Sequence, residues 1–276
     1  MPREPYLPAG HHWGWDRDAE DWNEIKASES SIEPVMAMGD EFSEVRRDPR
    51  PLIRNQSQRS WPSCRGHSLS NSVEWIHMLA TGDAGLQFSR QFCWQESQRI
   101  TWGRASRSRG ATMSAGWKLA RDRGVCEESS VPYTFPNYDN RTPDAAWANA
   151  AKWKIRQRYP IRSYEEARQF LGSGQGAIDA GVSWNSSLSR AGARVESYSR
   201  RRGGGHAICF LSLSDVTDRD GQPYIWLVNS HGTRYGSNGS TQLSPKAFQQ
   251  VCDHSYTTMA GLSDLSTPAP RDWVMI

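Results

Sequence analysis

The hydrophobic period of this chain changes once, near residue 175, and that change limits the folds open to it. Before it, apolar residues recur at helical spacing. Leu69, Val73, Ile76 and Ala80 fall at steps of four, three and four, which marks one face of a helix that closes near Thr81-Gly82-Asp83. Ser89 to about Thr101 predicts a second helix with Phe88, Phe92 and Ile100 inward. Thr112 to Arg123 predicts a third, ended by Gly124 at its C′ position. Thr142 and Pro143 resemble a helix start, as cap and first helical residue. Tyr164 to Leu171 predicts a further short helix, stopped by Gly172-Ser173-Gly174. After residue 175 the runs Ala177–Trp184, His206–Ser214 and Pro223–Asn229 have strand character. The last two are joined across Asp220-Gly221, a dipeptide that tolerates the positive φ of a tight hairpin. Helices first and an antiparallel sheet second give an α+β fold in two lobes, one helical and one sheet-rich.

Composition bounds the chemistry. At 276 residues the chain can bury a sizeable core. Its net charge of +3 is mild, so nothing calls for a nucleic-acid partner. The five cysteines, Cys64, Cys93, Cys126, Cys209 and Cys252, are odd in number and widely spaced. That argues against a disulfide framework and a structural zinc site. All but Cys64 read as buried thiols. The N-terminus lacks an apolar signal core and no run approaches a membrane span, so a cytoplasmic protein with no membrane partner is expected. Residues 1–41 form a polar extension in which Trp13, Trp15 and Trp22 stand among acids, and it is expected to lie over the main body through those tryptophans. His11-His12 has no partner ligands in sequence, so no metal or other cofactor is expected. The main domain spans 42–265, with a tail from 266 to 276. Arg200-Arg201-Arg202 has the composition of a solvated loop, or of a basic rim that selects acidic substrates. Trp184 and Trp226 are expected in the core.

Cys64 follows Pro62-Ser63 and heads the first helix. There the macrodipole and unpaired N–H groups favour a thiolate, the nucleophilic form. His206 follows three glycines at the start of a strand, and Asn229 ends the strand expected to pair with it. Hairpin pairing puts the start of one strand beside the end of the other, so an imidazole base and an amide that orients it can meet. Taken singly, each has a plainer explanation: a buried thiol, a surface histidine, a capping asparagine.

Taken together, the segments resemble the papain-like cysteine peptidases. Gln58, Ser63, Cys64 and Ser68 match the spacing of that family's nucleophile segment. Gly205-His206-Ala207 resembles the segment around its base. Asn229-Ser230-His231-Gly232 through Gly236 and Gly239 resembles its Asn-Ser-Trp-Gly signature, and Gly124-Val125-Cys126-Glu127-Glu128 with Pro132-Tyr133 resembles the stretch after its third helix. His206 lies 142 residues after Cys64, and Asn229 lies 165, the latter somewhat beyond the family's usual range of about 130–150.

The resemblance implies a papain-like fold with the cleft between two lobes. It implies a Cys64–His206–Asn229 triad acting on a peptide or protein substrate, with Gln58 and the Cys64 N–H as oxyanion donors. Gly110 and Ala207 would line the substrate cleft. Trp61 stands where the family usually has a disulfide cysteine. Arg65 replaces the aromatic after the nucleophile and is expected to lower the thiol pKa. His231 replaces the tryptophan that shields the Asn–His bond, so that bond is expected to be more exposed and weaker. These departures also fit a weak or inactive peptidase-like component of a larger assembly, such as a phage or virus particle. Acyl transfer to an amine would use the same triad. The first 40 residues are too short for the family's helical propeptide, and nothing in their sequence places them in the cleft.

Overall fold

A computed structural model of the chain describes residues 14–17, 19–21, 44–134 and 141–266. Helices α1 (Cys64–Thr81), α2 (Arg90–Trp102), α3 (Met113–Asp122) and α4 (Asp144–Ala150) come first. Then follow β1 (Ile155–Pro160), α5 (Tyr164–Gly172), β2 (Gly176–Trp184), α6 (Ser186–Ser189), β3 (Arg194–Val195), β4 (Gly204–Thr217), β5 (Pro223–Val228), β6 (Ser240–Leu243), α7 (Pro245–Cys252) and β7 (Thr258–Leu265). The strands form one sheet in the order β1-β7-β2-β4-β5-β6-β3. Its pairs are antiparallel except β3 with β6. No helix among the described residues is long and apolar enough to cross a membrane.

Local chemistry sets most helix ends. Ser89, Thr112, Ser163 and Ser244 each accept from a first-turn N–H of α2, α3, α5 and α7, relieving donors that have no partner within the helix. α1 and α2 end at Gly82 and Gly103, both left-handed. Two expectations fail here. α4 starts at Asp144 with Pro143 as its cap, and the Thr142 hydroxyl instead bonds the Glu96 carboxylate on α2. Ile100 is exposed. It sits eight residues past Phe92, about 80° further round the helix and off the buried face.

Alternation along the central strands splits the apolar core into two clusters. Ala177 on β2 and Ala207, Cys209 and Leu211 on β4 face α1, α2 and α3. Ile178, Ala180, Val182, Ile208 and Phe210 face the opposite way, toward α5 and α7. This is the period of two that a strand imposes. Trp184 belongs to the second cluster, as expected of a core tryptophan, and Trp226 is buried.

β7 goes unrecognised in the sequence although it pairs with both β1 and β2. Its residues, Thr-Met-Ala-Gly-Leu-Ser-Asp-Leu, have little β-branching and include a glycine. β1 carries alternating arginines because it is an edge strand. Trp13, Trp22, His11, His12 and residues 267–276 lie outside the described residues.

Candidate active site

Cys64 is the first residue of α1 and is fully buried. Ser63 precedes it but does not cap the helix; its hydroxyl pairs with the Tyr133 hydroxyl at 2.6 Å. The Ala207 N–H donates to Cys64 Sγ at 3.2 Å. That bond brings the start of β4, and with it His206, to the thiol.

His206 Nε2 lies 2.8 Å from Asn229 Oδ1. The same Oδ1 accepts from the Ser230 N–H at 2.7 Å. A backbone donor fixes that atom as oxygen, so His206 Nε2 is the protonated nitrogen and Nδ1 carries the lone pair. Ser230, unnoticed in the sequence beyond its place in the motif, also holds Gln58: its hydroxyl donates to Gln58 Oε1 at 2.5 Å, and its carbonyl accepts from the Gln58 N–H at 2.7 Å. Gln58 Nε2 donates one hydrogen to the Trp61 carbonyl at 2.7 Å. Gln58, Cys64, Ala207, His206 and Asn229 are therefore brought to one place, and all are buried.

The expected weakening of the His–Asn bond does not follow. Trp184 packs on the His206 ring with centroids 4.5 Å apart, and His231 lies 4.8 Å from it on a shallow tilt. His206 and Asn229 are shielded from water. A tryptophan from β2 supplies the cover that position 231 lacks, and no local sequence signal points to it.

Burial pushes His231 down to about 3, with the charge of His206 adding to the effect. Burial and then Arg90 push His67 down to about 3 as well. In the unfolded chain both protonate near 6.5. Between these values the unfolded state binds more protons, so stability is lost as pH falls from about 6.5 toward 3, by about 1.4 kcal/mol per pH unit for each histidine. His231→Gln is expected to flatten the plot of unfolding free energy against pH by about that amount. A slope equal to the parent's would rule out a buried neutral His231.

A short N-terminal strap covers the thiol. Gly14 O accepts from the Ala111 N–H at 3.0 Å, and the Asp16 N–H donates to Ala111 O at 3.1 Å, a parallel bridge centred on Trp15. A Cβ on Gly14 would lie 2.7 Å from Cys64 Sγ and 2.4 Å from the Pro62 carbonyl oxygen. A Cβ on Gly110 would lie 2.3 Å from the Gly14 backbone. Gly110 thus admits a second backbone at the thiol, and in this structure that backbone is the chain's own.

Trp15 is fully buried. Its ring lies where a side chain at Gly181 would otherwise be, its carbonyl oxygen where one at Gly205 would be, and the ring packs on Tyr256 with centroids 5.2 Å apart. Its Nε1 donates to Glu20 Oε1 at 2.7 Å. Glu20 in turn accepts from the Met113 and Ser114 N–H groups that open α3, and from the Ser114 hydroxyl, an anion at the positive end of a helix. The expectation that the extension lies on the body through its tryptophans is met at Trp15, which is buried against β2 and β4.

Arg65 lowers the thiol pKa as expected, but by less than burial raises it. It is completely buried and turned into the body, where Nη1 meets Asp179 Oδ2 at 2.8 Å. Nη1 also donates to Ser68 Oγ, and Nη2 to the Met113 carbonyl. Trp117 Nε1 donates to the same Asp179 oxygen at 2.9 Å. Asp179 is on the α1-facing side of β2, so the pair joins α1 to the sheet directly behind the nucleophile. Asp179 offsets only part of the arginine's pull on the thiol. Burial instead raises Cys64 to about 12, outweighing the Ala207 N–H and Arg65. Burial thus favours the neutral thiol at Cys64. None of the five cysteines is in a disulfide; Cys252 is half-buried and the rest are buried.

The family model for papain family cysteine proteases matches residues 44–261. The chain belongs to the papain family of cysteine proteases. Membership gives it a cysteine peptidase's place and a protein substrate. Solved papain-like structures share its fold. One is xylellain, a cysteine protease from Xylella fastidiosa, with a TM-score of 0.71 and 17% identity over 92% of this chain and 96% of that one. Another is procathepsin L 3 of the Tenebrio molitor larval midgut, with a TM-score of 0.65 and 16% identity over 84% of this chain and 73% of that one. A third is procathepsin B from Trypanosoma congolense, with a TM-score of 0.62 and 18% identity over 87% and 84%. No curated protein sequence matches the chain. Among the described residues no group of histidines, cysteines and acids has the geometry of a metal site.

Proposed function

We propose that this papain-family chain is an endopeptidase that cleaves through Cys64, His206 and Asn229, and that it is held latent by residues 14–17. The observation that carries the reading is the convergence at one dry site of the Ala207 N–H on Cys64 Sγ and of His206 Nε2 on Asn229 Oδ1. His206 Nδ1 takes the thiol proton. The thiolate then attacks the peptide carbonyl carbon, and the imidazolium returns the proton to the leaving amine as the C–N bond breaks. Water, deprotonated by the same imidazole, hydrolyses the thioester and restores the thiol. Asn229 keeps the ring in the tautomer that offers Nδ1.

The second Gln58 Nε2 hydrogen and the Cys64 N–H are the donors for the oxyanion. Gln58→Ala is expected to lower kcat about 10²-fold with little change in KM. An unchanged kcat in steady-state assays removes Gln58 from this role.

Displacing the strap reverses the thiol's state. Water then reaches Cys64, the desolvation that raised its pKa falls away, and the helix end and the Ala207 N–H favour the thiolate. The test is covalent labelling by a thiol-directed epoxysuccinyl probe, located by mass spectrometry, in a chain whose strap is loosened by Trp15→Ala. Cys64 is expected to label in preference to the other four cysteines. Absent or indiscriminate labelling would leave the reading of the chain as an inactive assembly component in its place.

A further inference from the structure

Beside the strap lies an open cavity of about 440 Å³ lined by Arg17, Arg200, Arg202, Asp253, His254, Ser255 and Tyr256. Three guanidinium groups meet one carboxylate there. Arg17 and Arg202 both stand over the Tyr256 ring, with Cζ 4.9 Å and 4.5 Å from its centroid. Cation–π attraction offsets only part of the repulsion between two like charges drawn to one ring. Arg200 and Arg202 make no ion pair with a carboxylate among the described residues. Burial and the Arg17 charge hold His254 below its usual range, another mark of positive potential in this wall.

The loop that carries the two arginines is built rather than loose. Asn185 Nδ2 donates to the Ser199 and Arg201 carbonyls, and Ser183 Oγ accepts from the Gly203 N–H at 2.7 Å. On the other side, Arg17 Nη2 donates to the Ser255 carbonyl at 2.8 Å. The cavity therefore has one wall from the body and one from the strap.

We propose that this cavity binds a small polyvalent oxyanion of about diphosphate size, and that the bound anion fastens the strap over Cys64. Guanidinium groups recognise phosphate and carboxylate oxygens in pairs, and the volume exceeds what a single phosphate fills. Arg17 leaves the site when the strap lifts, so the anion binds the closed state better and by linkage favours it. The consequence for activity rests on the proposed role of the strap; the site itself does not.

The test separates the two. Full-length chain carrying Cys64→Ala is titrated with pyrophosphate by calorimetry at fixed ionic strength, and hydrogen exchange of residues 14–17 is followed with and without the anion. Saturable binding at one site per chain is expected, weakened at least tenfold in Arg200→Gln/Arg202→Gln and in Arg17→Gln, with slower exchange in the strap at saturation. The first two positions are exposed, so the double variant is expected to fold as the parent does. No saturable binding, or equal binding in the variants, overturns the site. Binding that leaves strap exchange unchanged overturns the coupling. Neither readout depends on peptide hydrolysis, so a chain that proved inactive would still answer the question.

Discussion

Trp15→Ala is expected to raise kcat/KM for a small peptide substrate by about 10²–10³-fold. Truncating a fully buried tryptophan costs about 3–5 kcal/mol. Here that loss falls almost entirely on one equilibrium, strap closed against strap lifted. The strap is held by Trp15 in the space beside Gly181 and Gly205, by two backbone bonds to Ala111, and by the Trp15–Glu20 bond. The substitution removes the first and third at once. An enzyme whose competent state is sparsely populated has its apparent activity lowered by that fraction, so the gain appears directly in kcat/KM. Trp15→Phe keeps most of the buried area and is expected to give a much smaller rise. A Trp15→Ala chain no faster than its parent would mean that residues 14–17 do not limit access to Cys64.

Arg65→Met is expected to destabilise the fold by about 3–5 kcal/mol. The pair with Asp179 is completely buried on both sides, and removing the cation leaves a carboxylate with the Trp117 N–H but no counter-charge. The accompanying Asp179→Leu is expected to restore most of the loss, because two apolar groups of similar volume need no compensation in a dry site. The urea midpoints of the four chains form the cycle that measures the coupling. The deficit of the single variant should shrink as pH falls. Burial already raises Asp179; without Arg65 it rises further, so protonation favours the folded variant more than the folded parent. A single variant as stable as the parent would place the charges in a wetter setting than the structure gives them.

Both predictions concern residues whose importance the sequence announces only faintly. An aspartate within Gly-Ala-Ile-Asp-Ala-Gly-Val is a charge in an otherwise apolar strand, and such a charge requires a partner. The strand does not say which cation supplies it. Arg65 next to the nucleophile suggests an electrostatic pull on sulfur, and that the pull is outweighed by burial and shared with Asp179 depends on α3 and β2 closing around it. Trp15 among acids predicts contact with the body, and nothing local says that the contact is with Gly181 and Gly205 on the central strands. Ile100 and Thr142 show the same limit at smaller scale: a helical face and a capping residue fit the local pattern, and packing against neighbouring elements moves both.

The sequence by itself determined the helical first part of the chain, the helix that opens at Cys64, and the β4–β5 hairpin across Asp220-Gly221 that brings His206 to Asn229. Each depends on periodicity, capping or turn chemistry within a few residues, or on one tight connection. Only the tertiary structure decided that β7 enters the sheet between β1 and β2, that Trp184 covers His206, that Arg65 answers Asp179, and that Gly14 lies against Cys64 with Trp15 against Gly181 and Gly205. In each of these the partners meet across long stretches of chain, in water-excluded space that exists only once the whole molecule has closed.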